Sequence, residues 1–365
     1  MKRIGVVSYN IHANFTNYGS ALQSWALCKT ISRLGYHAVL IDYCPDILLE
    51  KNPLDPFKNS WDKDKKMKEM IESSMQAIME NYSKFEKFYS EEFDRSKQYT
   101  RLNFEKSKSE VDSYVCGSDT IFSPDEFNLD DGYLANYSCM SGNSISYAAS
   151  FGDPCFTKQQ YEELDRKLQN FKALGIRENL MIDYVKSKVS VPVQRVIDPT
   201  LLLDREDYDA IRHNRRLVKG DYILYYSRRH NPAMEAYAER LARETNLKLV
   251  EISLNANNKS KGHIMYYQAG VEEFLSLVAY ASYVVTNSFH GVIFSVQYLK
   301  EFVVFSRALC DTKIQELLKL LGIQDRLLIN GRETFRKIDW KNVHSRILEE
   351  RKKSLKFLEE ELKLL

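Results

Sequence analysis

Tyr280–Gly291 reads YASYVVTNSFHG, and the rest of the chain can be placed around it. Tyr283, Val284 and Val285 form a short continuous apolar run, the pattern of a strand buried on both faces in a parallel sheet. The run stops at Thr286, Asn287 and Ser288, all good helix N-caps. Beyond them Val292, Ile293, Phe294, Val296 and Leu299 recur at helical spacing. His290 therefore falls in the first turn of a helix, just past the carboxyl end of a strand. In open α/β sheets ligands bind there, and a helix N-terminus offers free N–H groups and a positive dipole end to an anion. A histidine in that place suits proton transfer to an anionic ligand. Taken alone, the same pattern fits a capping histidine with no chemistry.

Working outward, Ile4–Ser8 is a strand and Asn10–Gly19 a polar loop offering Asn14, Thr16, Asn17 and Tyr18. Ser20–Leu34 is a helix closed by Gly35, and Val39–Tyr43 a second strand. This is a right-handed βαβ unit. Only Gly19 stands where a dinucleotide fingerprint wants three glycines, so a nicotinamide or flavin cofactor is disfavoured. Asp46–Lys106 is charged and aromatic. Met67, Met70, Ile71, Met75, Ile78 and Met79 share a helical face, which predicts one or two amphipathic helices in a covering layer. Val111–Cys116 is a strand ending in Gly117-Ser118-Asp119, and Ser144–Ser150 a strand ending in Phe151-Gly152. Tyr161–Leu174 reads as a helix leading to Arg177-Glu178, and Val193–Ile197 as a strand leading to Asp198-Pro199-Thr200.

A second α/β block begins near Asp221. Strands are expected at Tyr222–Tyr226, Leu247–Ile252 and Leu299–Phe305, and helices at Pro232–Thr245, Val271–Ala281 and Ile314–Leu321. Ser227-Arg228-Arg229-His230 follows the first of these strands. Trp340–Leu365 is a long amphipathic helix. The expected architecture is α/β: two Rossmann-like domains, 1–215 with a helical insertion near 50–106 and 216–335, facing a cleft. The C-terminal helix, 336–365, packs back across them.

Fifty-two basic residues stand against fifty acidic ones, a formal charge of +2. With no basic block, nothing argues for nucleic acid. The first apolar run is too short for a signal peptide, and no run reaches the ~18 apolar residues of a membrane span, so a cytoplasmic chain is expected. Its six cysteines are dispersed with no CxxC pair, which favours free thiols over disulfides or zinc. No metal site is expected.

Six blocks occur in order: Asn17-Tyr18-Gly19 with Leu22-Gln23; Gly117-Ser118-Asp119; Ser146–Gly152; Arg177-Glu178; Asp198-Pro199-Thr200; and Thr286–Gly291. Together they resemble the polysaccharide pyruvyl transferase family. The resemblance implies a fold like that of the GT-B glycosyltransferases, with the acceptor expected on the 1–215 side and the donor on the 216–335 side. It also implies transfer of a pyruvyl group from phosphoenolpyruvate to a sugar as a ketal, in the assembly of bacterial capsule or exopolysaccharide, with no cofactor. His290 is then the general acid or base and Arg177 the clamp on the donor's carboxylate or phosphate. Arg228, Arg229 and Arg307 are secondary clamps, while Asn17, Tyr18, Gly19, Ser118, Asp119, Asn287 and Ser288 are candidate substrate contacts. The family carries a lysine some way past the histidine. Here Phe305–Cys310 offers Arg307 and no lysine, which leaves that cation unidentified.

Two other readings share the architecture: a nucleotide-sugar glycosyltransferase, and a carbohydrate- or anion-binding protein without chemistry. The acceptor sugar and oligomeric state stay open. A lipid-linked acceptor would bring the chain to the inner membrane face without an anchor of its own.

Overall fold

The computed structural model describes residues 1–13, 15–54, 65–306, 311–329, 331 and 336–365. The candidates Asn14 and Arg307 lie outside them. In the first half the order is β1 (Arg3–Val7), α1 (Tyr18–Arg33), β2 (His37–Tyr43), α2 (Lys65–Glu92), β3 (Arg95–Tyr99) and β4 (Ser113–Cys116). There follow α3 (Pro124–Phe127), β5 (Ser144–Ala149), α4 (Lys158–Leu168), β6 (Phe171–Ile176), α5 (Ile182–Lys188) and β7 (Val193–Arg195). After α6 (Arg205–Ile211) the second half runs β8 (Tyr222–Tyr226), α7 (Pro232–Thr245), β9 (Lys248–Ile252), β10 (Ile264–Met265) and α8 (Val271–Tyr280). It closes with β11 (Tyr283–Thr286), α9 (Phe289–Gln297), β12 (Glu301–Phe305), α10 (Asp311–Leu321), β13 (Leu327–Leu328) and α11 (Trp340–Leu362).

Among the described residues these strands form two parallel sheets, ordered β3-β2-β1-β4-β5-β6-β7 and β10-β9-β8-β11-β12-β13. The strand order reverses between β1 and β4 in one sheet and between β8 and β11 in the other. Those reversals open the crevices where α/β sheets take ligands. The segments that follow β1, β4, β8 and β11 are the Asn10–Gly19 loop, Gly117–Asp119, Ser227–Arg229 and Thr286–Ser288. The two Rossmann-like sheets thus give the GT-B-like architecture.

Helix α1 joins the halves. Its Leu22, Trp25 and Ala26 belong to one buried cluster with Ile4 and Val6 of the first sheet and Val284 and Phe302 of the second. Tyr18 stacks on Phe274 of α8 at 4.4 Å between ring centroids and 11° between planes, and its hydroxyl donates to Ala269 O at 2.7 Å. Helix α11 returns to the first sheet, seating Phe357 so close to Gly175 that a Cβ there would lie 2.8 Å from its ring. Arg351 of α11 also donates to Leu201 O and Leu203 O, at 2.7 and 2.8 Å.

The sequence expectation differs from the structure in three places. Phe171–Ile176 is a strand between β5 and β7 where a helix running to Leu174 was expected. Small and branched residues packed on both faces override the helical reading of FKALGI. The edge strand β3, RSKQY, is polar and showed no apolar alternation. On helix α2 Ile71 and Ile78 of the expected face are buried and Met70 and Met75 half-buried, but Met79 is 59% exposed and falls outside it.

Candidate active site

The central side chains come from the ends of four strands. Arg177, just past β6, is buried; its Nε donates to Glu178 Oε1 at 2.8 Å and its Nη1 to Asp198 Oδ2 at 2.9 Å. Nη2 is buried with no hydrogen-bond partner and lies 3.9 Å from Asp119 Oδ1. His290, in the first turn of α9, brings Nε2 to 3.5 Å from Asp198 Oδ2, long for a hydrogen bond, and that nitrogen is likewise buried without a partner. Asp198 is thus shared between guanidinium and imidazole. Its other oxygen accepts from the Thr200 amide and hydroxyl at 3.0 and 2.6 Å.

Burial opposes the charge on Asp198, but His290, Arg177 and Thr200 outweigh it and hold the carboxyl well below the usual carboxylate range. Asp119, at the end of β4, behaves in the same way. Burial raises it, while Lys313, Arg177, His290 and the Ser20 hydroxyl, which donates to Oδ2 at 2.9 Å, bring it down. Burial likewise works against the Arg177 charge, and Glu178, Asp198 and Asp119 more than restore it. In all three groups the neighbours favour the charged form over the neutral one.

Lys313 escaped the sequence reading. It sits in the first turn of α10 and is buried, with its Nζ 6.0 Å from the centre of the Phe289 ring; the Arg177 guanidinium carbon lies 4.7 Å from that same ring. Among the described residues its ammonium has no ion-pair partner within 4.0 Å. Helix α10 is pinned to the first half at its start, where Asp153 accepts the backbone N–H groups of Asp311 and Thr312, both at 3.2 Å. Glu316 takes the Asn179 amide N–H at 2.8 Å. Asp153, the residue after the SYAASFG block, and Asn179 therefore help to position a lysine far along the chain. No local pattern around Lys313 signals this, because the contact is made only once the halves meet.

Helix α1 enters the same space. A Cβ on Gly19 would lie 2.0 Å from His290 Nδ1, so only glycine lets the helix start approach the imidazole. Gly19→Ala is expected to push the ring aside and lower turnover by about 10²-fold, with the fold retained at a cost of about 1–3 kcal/mol. Turnover and melting temperature measured together check this; unchanged turnover would show that the ring position is unimportant.

The other candidates divide between gap and scaffold. Arg228 reaches across to donate from Nη1 to Thr16 O at 3.1 Å, whereas the Arg229 side chain is exposed. Asn287 accepts the Arg228 N–H at 2.9 Å and donates to Arg229 O at 2.7 Å, bracing that turn. Ser118 is fully buried, its hydroxyl donated to Ala148 O at 2.9 Å. Asn17 and Ser288 cap α1 and α9.

The Asn10–Gly19 loop has its own anchor. His12 Nε2 pairs with Asp42 Oδ1 at 2.5 Å, and Arg95 donates two hydrogen bonds to Oδ2 of the same carboxylate. Burial disfavours the imidazolium, but hydrogen bonds to Asp42 and Cys44 outweigh it and push His12 up to about 9. That exceeds the ~6.5 of an unfolded histidine. The charged ring therefore stabilises the fold fully below about pH 6.5, and that stability is lost as pH rises through about 9. The Asp42 carboxyl is depressed, burial notwithstanding, by His12 and Arg95, so acid removes the same pair only below the ordinary carboxylate range. Wild type should melt well above His12→Gln near pH ~6, and the gap should close towards pH ~10. A pH-independent gap would contradict the pairing.

The fold is GT-B-like, and the ends of its strands gather the buried side chains of Arg177, His290, Asp119, Glu178 and Asp198, with the buried Lys313 beside them. The family model for polysaccharide pyruvyl transferase matches residues 17–308, and the chain belongs to that family. No curated protein matches it. Among solved structures it is similar to a Neisseria meningitidis UDP-GlcNAc 2-epimerase bound to UDP-GlcNAc, at 12% identity and TM-score 0.51, covering 98% of this chain and 93% of that one. A putative UDP-N-acetylglucosamine 2-epimerase from Listeria monocytogenes gives 10% identity and TM-score 0.51, covering 97% and 89%. At such identities the likeness is one of fold. Among the described residues no helix is long and apolar enough to cross a membrane.

Proposed function

We propose that this chain transfers the pyruvyl group of phosphoenolpyruvate to two hydroxyls of a sugar acceptor, forming a pyruvate ketal. The observation that carries the reading is the convergence of unspent donors. Arg177 Nη2 and His290 Nε2 are buried with no hydrogen-bond partner, and Lys313 shares the Phe289 ring with Arg177. Native proteins rarely leave buried donors unpaired, and a carboxylate or phosphate is the partner such a set would take.

In this scheme Arg177 and Lys313 hold the two anionic ends of the donor. A proton delivered by His290 to the methylene carbon turns it into a methyl group and leaves the central carbon electrophilic. One sugar hydroxyl adds there and loses its proton, the C–O bond to phosphate breaks, and a second hydroxyl closes the ketal. The balance is one phosphoenolpyruvate and one diol giving one ketal and one inorganic phosphate. Fixed charges that match the developing charge do most of the work. Asp198 keeps the imidazole oriented and offers a counter-charge to its protonated form.

Thermal protection tests the donor. Phosphoenolpyruvate at a hundredfold excess over its Kd should stabilise the chain by about 2.7 kcal/mol, and a panel of nucleotide sugars should not. Protection by a nucleotide sugar alone would favour the glycosyltransferase reading instead.

A further inference from the structure

Three carboxylates face the Arg177 guanidinium: Asp119, Asp198 and Glu178. Two of them have both oxygens engaged. Asp198 Oδ1 accepts from Thr200, and Oδ2 is held by Arg177 beside His290. Asp119 Oδ1 accepts the Thr120 N–H at 2.9 Å, and Oδ2 accepts the Ser20 hydroxyl. Glu178 differs. Its Oε1 takes Arg177 Nε, while Oε2 is buried and, among the described residues, no donor reaches it. A buried carboxylate oxygen without a donor costs free energy, and in a native protein such an atom calls for a reaction or a bound molecule to explain it.

Both halves of the chain fix the place of Glu178. Arg177, on one side of it, donates its backbone N–H to Ala149 O at 3.1 Å. Asn179, on the other, donates its N–H to Glu316 of α10 at 2.8 Å, and Lys313 lies one turn earlier on that helix. Glu178 thus stands between the guanidinium and the helix that carries the buried ammonium. A phosphoenolpyruvate oxygen does not suit the open acceptor position, because anion would meet anion. A hydroxyl does: it is neutral, and it brings the proton that Oε2 lacks.

We propose that Glu178 is the base that takes the proton of the attacking sugar hydroxyl. The assignment rests on the pyruvyl-transfer reading, whose scheme has two hydroxyl protons to place. His290 gives its proton to the methylene carbon, the first hydroxyl oxygen bonds to the central carbon, and its proton passes to Glu178 Oε2. The C–O bond to phosphate then breaks with its electron pair on the phosphate oxygen, and Glu178 returns the proton there. The second hydroxyl bonds to the same carbon, and its proton restores His290. Both side chains end as they began, with one proton in the new methyl group and one on inorganic phosphate.

Glu178→Gln in the full chain tests this. The amide keeps the shape and an oxygen for Arg177 Nε, but it is no base. The kcat for acceptor-dependent phosphate release should fall roughly 10²–10⁴-fold, while the calorimetric Kd for phosphoenolpyruvate stays near wild type. Glu178→Ala should be as slow, and added formate, a small carboxylate, should restore part of its rate while doing nothing for His290→Ala. A residue that only braces Arg177 gives the reverse split: weaker donor binding, kcat spared and no rescue by formate. That split, or a Glu178→Gln variant with wild-type kcat beside an active wild type, would overturn the assignment and leave the pyruvyl-transfer reading standing. A wild-type chain that binds phosphoenolpyruvate yet releases no phosphate with any acceptor would sink that reading, and the assignment with it.

Discussion

His290→Ala is expected to lower turnover roughly 10²–10⁴-fold while leaving phosphoenolpyruvate binding largely in place. The imidazole is the titratable group at the strand-to-helix junction of β11 and α9, with Nδ1 backed by the start of α1 and Nε2 beside Asp198. Its removal takes away proton delivery without removing Arg177 or Lys313. The loss should therefore appear in kcat rather than in KM for the donor. Steady-state kinetics with phosphate release as readout check it. A variant with near-wild-type kcat would strip His290 of its role, and one that lost only donor affinity would recast it as a binding residue.

Arg177→Ala should damage both stability and function. The guanidinium faces Glu178, Asp198 and Asp119 in a buried setting, and its loss leaves Glu178 without its ion-pair partner and removes one counter-charge from Asp198 and Asp119. Breaking a buried pair from one side costs about 3–5 kcal/mol, and the donor loses its fork-shaped partner as well. Arg177→Lys keeps the charge but not the geometry that spans Glu178 and Asp198 at once. It should recover much of the stability and little of the donor affinity. Chemical denaturation and calorimetric titration with phosphoenolpyruvate separate the two effects. Arg177→Lys with wild-type affinity would show that Arg177 only braces the carboxylates.

Much of this frame was readable before folding was considered. Tyr283–Thr286 and Tyr222–Tyr226 announce themselves because central parallel strands are apolar on both faces. The residues just past them are small or polar because the chain must turn there. His290, Arg177, Asp119 and Asp198 lie in such segments, and the ordered blocks that resemble the family mark them. Lys313 was not readable: its place depends on Asp153 and Asn179 gripping α10 from the other half of the chain. Phe171–Ile176 misled for a related reason, since burial on both sides decided its state. Asn17, Ser118 and Asn287 lie in the right segments, yet much of their hydrogen bonding goes to holding backbone in place. Position along the chain reveals neighbourhood, and only packing reveals which groups remain unspent.

On the function proposed above, the unspent donors at Arg177, His290 and Lys313 serve phosphoenolpyruvate chemistry on a sugar. Its most direct measurement is inorganic phosphate released from phosphoenolpyruvate by the purified chain, with and without neutral sugar acceptors, nucleotide- and lipid-linked forms included. The expected result is release that requires an acceptor, matches ketal formed one for one, and disappears in His290→Ala. Release without any acceptor, or none with an acceptor shown to bind, would contradict it.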